Sequence, residues 1–168
     1  DSPMGYVNLL IEEMIPKVAE RRLAEFCDVF CEKGVFSLEQ TRRILVAGKN
    51  YGLKAKVHAD EMSTLGGAEL SADIEAISAE HLQFSSDEGI KAMADKGVVA
   101  VLLPAATFSL MTGRYADARK MIDFGVPVAL GTDFNPSCWV ENQQLAIAFA
   151  CHFMRLTPAE AITAATIN

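Results

Sequence analysis

The chain has 168 residues, 51% of them apolar, which suits one ordinary domain with a real core. Its 22 acidic and 15 basic residues leave a net charge of −7. The basic residues fall in scattered pairs that read as solvated helix faces, which argues against a nucleic-acid partner. No run approaches the ~18–20 apolar residues of a membrane helix. The opening DSPMGYVNLL has no signal-peptide pattern, so a cytoplasmic protein without a membrane partner is expected.

In chain order, FCDVF (26–30) reads as a first strand that ends near Cys31-Glu32. Cys27, Cys31, Cys138 and Cys151 show no C-x-x-C spacing, so reduced thiols acting as small hydrophobes are expected. SLEQ at Ser37 has capping-box spacing, and Leu38, Thr41, Leu45, Gly48 and Tyr51 share one face of the helix it starts. KAKVH (54–58) is the second strand, followed by Asp60, Glu61 and a flexible Gly66-Gly67 loop. ISAEHL (77–82) is the third. SSDE at Ser85 to Glu88 repeats the capping spacing before Ile90, Met93 and Ala94, and Gly97 is placed to end that helix. VVAVLL (98–103) and VPVALGT (126–132) are continuous apolar runs, as expected of strands covered on both faces. LAIAFACHFMRL is helical, and TPAE at Thr157 starts the last helix with proline at its first position.

Strand–helix alternation predicts a parallel sheet, either doubly wound or part of a (β/α)8 barrel. Both architectures bind ligands at the carboxyl ends of the strands. Polar residues stand at those ends: His58 and Glu61 after the second strand, His81 at the third, Asp133 and Asn135 after the fifth. Singly, each has an ordinary reading: a hydrogen-bonded edge histidine, a solvated loop acid, a packed strand histidine, a turn aspartate. In a barrel they would converge on one mouth, where imidazole and carboxylate suit zinc or iron. Two such ligands are fewer than the three a catalytic zinc normally takes. His152 lies in a helical run away from any strand end and reads as structural. Dinucleotide, P-loop and nucleophile-elbow motifs are absent from the sequence.

The stretches KVHADE…GGAEL, ISAEHLQFSSDEGIKAMADKGVVAVLLPAA, GVPVALGTDFNPSC and RLTPAEAITAATIN resemble the imidazolonepropionase family of the amidohydrolase superfamily. The resemblance runs over essentially the whole chain. It implies a (β/α)8 barrel holding one zinc or iron ion, and hydrolysis of the cyclic amide 4-imidazolone-5-propanoate to N-formimino-L-glutamate in histidine degradation. On the matching positions it implies His58 and Asp133 as metal ligands, on barrel strands five and eight. Glu61 would act on the attacking water, and His81 would polarise the ring carbonyl; Glu61, His81 and Asn135 would contact substrate. Family members are longer, have an H-x-H pair that this sequence lacks, and usually carry glycine where Ser137 stands. Residues 1–168 are therefore expected to be a partial barrel domain, roughly strands four to eight. The N-terminal strands and a small β-sandwich domain would be missing. Such a piece is expected to be inactive alone, to bind metal weakly, and to form homodimers through its exposed barrel edges. The alternatives are another amidohydrolase, such as an aromatic deaminase or other cyclic amidase, and a non-catalytic α/β binding module.

Overall fold

The computed structural model describes residues 2–168. It opens with a helix in three pieces: α1 (Pro3–Leu9), a π-helical turn (Leu10–Met14) and α2 (Ile15–Glu20). Sequence reasoning did not mark this helix, although Ser2 caps it through the Gly5 N–H and Pro3 stands at its first position. Next come β1 (Phe26–Cys31), α3 (Leu38–Asn50), β2 (Lys54–Ala59), α4 (Gly67–Asp73), β3 (Ser78–His81) and α5 (Asp87–Lys96). The chain continues through β4 (Val99–Leu102), α6 (Pro104–Ser109), α7 (Ala118–Asp123), β5 (Val128–Leu130), α8 (Gln143–Phe153) and α9 (Pro158–Ala164).

Every predicted strand is present, the fifth trimmed most. The strands form one parallel sheet in the order β1-β2-β3-β4-β5. A doubly wound sheet reverses its strand order at a switch point. This sheet has no reversal, so each crossover steps the same way, as in a barrel wall.

Alternation divides the strands into two faces. One carries Val29, Cys31, Val57, Ala79, Leu102 and Val128 into a core shared with Ile44 and Leu45 of α3, Met93 of α5 and Met121 of α7. Small residues there allow close approach: a Cβ on Gly67 at the start of α4 would lie 2.8 Å from the Ala59 Cβ. By register, the other face carries Asp28 and Phe30 of β1, Lys56 and His58 of β2, Ser78 and Glu80 of β3, and Val101 of β4. This polar inner face leads up to the strand ends where the candidate residues collect.

Several local expectations need adjustment. The capping boxes at Ser37 and Thr157 form in full. Ser86, not Ser85, caps α5, because the Ser85 hydroxyl donates instead to Asp60. Gly97 ends α5 in the left-handed region, as expected. On α3, Ile44 joins the buried face, whereas Tyr51 is exposed beyond the helix end. All four cysteines are free. Among the described residues, no helix is long and apolar enough to cross a membrane.

Candidate functional site

His58, Glu61, His81, Asp133 and Asn135 line one cleft of about 420 Å³ at the carboxyl ends of the strands. Phe30, Met62, Ala106 and Leu110 supply part of its apolar wall. Each polar group arrives by a different route. His58 points inward by simple alternation on β2. His81 would by alternation share the outer side with Ala79, since its register partner Ala59 is buried there. A φ of 75° at His81, followed by 65° at Leu82, breaks the alternation and turns the imidazole into the cleft. Asp133 sits three residues past β5 and also adopts a positive φ, 54°. Left-handed backbone at non-glycine residues costs roughly 1–2 kcal/mol each, so tertiary contacts must hold these turns.

Two buried carboxylates provide that hold on the Glu61 side. Asp60 is fully buried. Its Oδ1 accepts from the N–H groups of Leu65, Gly66 and Gly67, and its Oδ2 from the Ala68 N–H and the Ser85 hydroxyl, all at 3.0–3.1 Å. The Gly66-Gly67 stretch is therefore a tight turn wrapped around a carboxylate, not a flexible loop. Gly66 supplies the left-handed φ of 99° that the wrapping needs. Glu32, 1% exposed, accepts from the backbone N–H groups of Lys33, Met62 and Ser63 and from the Ser63 hydroxyl. Burial alone would raise the Glu32 pKa, but these donors outweigh it and hold it below the usual carboxylate range. Glu61 is thus clamped from both sides, by Asp60 before it and by Glu32 on the two residues after it. Neither clamp was legible in the sequence, because the partners lie 5–8 and 25–31 residues away.

The electrostatics separate the four cleft groups. Burial pulls the His58 pKa down, but the hydrogen bond and charge of Asp28, with Glu80 and Asp133 behind them, raise it overall. Burial and the neighbouring His58 hold His81 at about 3, so it is neutral at neutral pH. Burial and the Asp133 charge push Glu61 up. Asp133 is raised by burial, against a hydrogen bond from Asn135 and the His58 charge. Burial is the first cause of both carboxylate shifts, and only Glu61 is raised further by neighbouring carboxylates.

His81 Nε2 lies 3.7 Å from Glu61 Oε2 and 4.0 Å from Asp133 Oδ2, too far for hydrogen bonds. Its buried Nδ1 has no partner among the described residues. Donor atoms of His58, His81 and Asp133 all fall within 4.8 Å of one another. His58 offers a nitrogen and Asp133 an oxygen, the donor types of zinc and iron sites. Asn135 faces the cleft, but its amide is spent locally, donating to the Asp133 carbonyl at 2.7 Å and accepting from the Ser137 N–H at 2.8 Å. Ser137 is exposed and does not have a positive φ, so no glycine is required there. His152 lies exposed on α8, outside the cleft.

No family model matches the chain. Imidazolonepropionase of Alkaliphilus oremlandii (strain OhILAs) is 56% identical over 169 aligned residues, which take in 100% of this chain and 40% of that protein. Imidazolonepropionase of Geobacillus kaustophilus (strain HTA426) is 59% identical over 99% of this chain and 39% of its own length. The chain thus spans about 40% of the length of the curated relatives it matches. In structure, N6-methyl-AMP deaminase of Arabidopsis thaliana superposes with a TM-score of 0.75 at 15% identity, over 95% of this chain and 48% of the deaminase. At that identity the likeness shows the fold alone. With the unreversed strand order, it makes the sheet part of a (β/α)8 barrel.

Proposed function

We propose that this chain, homologous from end to end to proteins named imidazolonepropionase, carries part of the active site of a metal-dependent cyclic-amide hydrolase. The reaction is 4-imidazolone-5-propanoate plus water to N-formimino-L-glutamate, a step of histidine degradation. What carries the reading is the 56% identity over the whole chain, joined to the convergence of His58, Glu61, His81 and Asp133 on one cleft. The activity belongs to a polypeptide that also supplies the rest of the barrel. Residues 1–168 are its partial barrel domain, and alone they turn over little substrate.

His58 and Asp133 would hold one divalent ion, zinc or iron. That ion would supply Lewis-acid polarisation and a nucleophile at neutral pH. Glu61, with its raised pKa, suits a carboxylate that takes a proton from water and delivers it to the departing ring nitrogen. Such acid–base help is typically worth about 10²–10⁴-fold. For His81 the surroundings select one tautomer: a proton on Nε2 faces two carboxylates, whereas one on Nδ1 would be a buried orphan donor. Neutral His81 thereby presents an N–H to the carbonyl oxygen as charge develops on it. Glu61, His81 and Asn135 line the space a small substrate would fill. The protein is read as cytoplasmic, with a small-molecule substrate and neither nucleic acid nor membrane as partner. The free edges of β1 and β5 are the surfaces through which two copies would pair.

A chimera tests this reading. The segment of the Alkaliphilus protein that matches this chain is replaced by residues 1–168, and the product is assayed on imidazolone propanoate, guanine and hydantoin. Turnover of imidazolone propanoate well above the other two is expected. A folded, metal-loaded chimera that prefers guanine or hydantoin, or turns over none of the three, overturns the reading.

A further inference from the structure

We propose that Asp28 is a positioning residue for His58, holding the imidazole in the tautomer whose Nε2 is free for a divalent cation. The proposal rests on the metal-site reading above. Asp28 stands on the inner face of β1, and the register places Phe30 of the same strand opposite His58. From there its Oδ2 lies 2.7 Å from His58 Nδ1. A carboxylate only accepts, so this contact puts the proton on Nδ1 and leaves the Nε2 lone pair uncommitted. Phe30 meets the same imidazole edge-on, with ring centroids 6.1 Å apart, and restricts its rotation.

A second carboxylate stands close enough to compete. Glu80 of β3 is the register partner of His58 on its other side and is buried. Its Oε1 is taken by the Ser78 hydroxyl at 2.6 Å and the Lys56 ammonium at 3.1 Å, while Oε2 has no partner. Lys56 thus draws Glu80 into a pair of its own, and Asp28 is the carboxylate bonded to Nδ1. Donor atoms of Asp28, His58 and Glu80 also lie within 4.8 Å of one another, which would otherwise suggest a second cation site. The Lys56 ammonium already supplies positive charge there, and Nδ1 is already hydrogen-bonded.

The test uses residues 1–168 with 15N-labelled histidine, free of metal, at a pH where the imidazole is neutral. His58 is assigned by comparison with His58→Gln. The wild type is expected to show the Nδ1–H tautomer, and Asp28→Ala a tautomer mixture. Zinc affinity, read by competition with a chromophoric chelator, is expected to fall about 10–100-fold in Asp28→Ala. Asp28→Asn, which keeps the shape, should shift both readouts in the same direction by less. An Nε2–H tautomer in the wild type, or a tautomer unchanged in Asp28→Ala, overturns the proposal. So do two zinc ions per chain with the second lost in Asp28→Ala. A wild type that binds no zinc yet loses its Nδ1–H tautomer in Asp28→Ala upholds the positioning, and the metal reading is then overturned only if the chimera holds no zinc either.

Discussion

His58 and His81 face one another from adjacent strands, with ring centroids 5.2 Å apart and planes tilted by 50°. Their surroundings make opposite use of the same side chain. His58 keeps 31% of its side chain exposed and leans on a carboxylate; His81 keeps 3% and has none within hydrogen-bond distance. One imidazole is made more basic and the other is held neutral, because burial and neighbours act separately on each.

That difference separates their roles. His58→Ala and Asp133→Ala are expected to abolish zinc binding in a competition titration. His81→Asn should leave zinc affinity within a few-fold while lowering kcat of the chimera on imidazolone propanoate by about 10²–10³-fold, the scale for losing one oxyanion donor. Loss of zinc binding in His81→Asn would instead make it a ligand.

Asp60→Ala removes a buried carboxylate that accepts five hydrogen bonds, four of them from backbone N–H groups. Stranding those donors should cost at least ~3 kcal/mol in denaturant unfolding. Asp60→Asn keeps one acceptor oxygen and should cost less. An Asp60→Ala protein as stable as the wild type would mean that the turn does not depend on this carboxylate.

Glu32→Gln should destabilise the chain by ~1–3 kcal/mol, because hydrogen bonds to a charged acceptor are weakened together. The sign of its pH dependence follows from its depressed pKa. Its contribution is present above the ordinary carboxylate value of 4.5 and is lost as pH falls through the lower folded value. The difference in unfolding midpoint between wild type and Glu32→Gln should therefore shrink on acidification.

Arg119 joins α7 to α9 through a two-pronged contact with Glu160, at 3.0 and 2.7 Å. Hydrogen bonds from Arg119, then from the Thr157 N–H and hydroxyl, hold the Glu160 carboxyl down to about 2. Stability from this pair is present above 4.5 and lost between 4.5 and about 2. Arg119→Met should lower the melting temperature at neutral pH and flatten the acid limb of the stability curve. An unchanged acid limb would show that the pair does not contribute.

Gly67→Ala would place a methyl 2.8 Å from the Ala59 Cβ and 3.0 Å from its Cα. Forcing α4 off β2 should cost ~1–3 kcal/mol, the scale for overpacking. Because α4 begins within the Asp60-wrapped turn, at Gly67 itself, the same change should also weaken zinc binding through His58. Wild-type stability in Gly67→Ala would mean that α4 shifts freely.

Much of the element map was legible because its causes are local. A β-branched run such as VVAVLL and a cap such as Ser37 with Gln40 act over a few residues, so their positions could be read directly. The capping residue of α5 was misplaced by one for a nonlocal reason: Asp60, 25 residues away, takes the Ser85 hydroxyl. The chemistry at the strand ends was also visible as residue types. How the backbone turns each of those side chains toward the cleft was not.

By itself, the sequence determined the alternation of strands and helices, and which imidazoles and carboxylates stand where strands end. Periodicity and capping suffice for the first, and residue identity for the second. Only the tertiary structure decided that the strands run in unreversed order, because winding depends on how helices cover one face. It also decided that His81 turns inward at a φ of 75°, that Asp60 turns to the backbone while Glu61 turns to the cleft, and that Asp28 meets His58. Those outcomes depend on left-handed backbone at non-glycine residues and on hydrogen bonds between distant segments, which local preference does not specify.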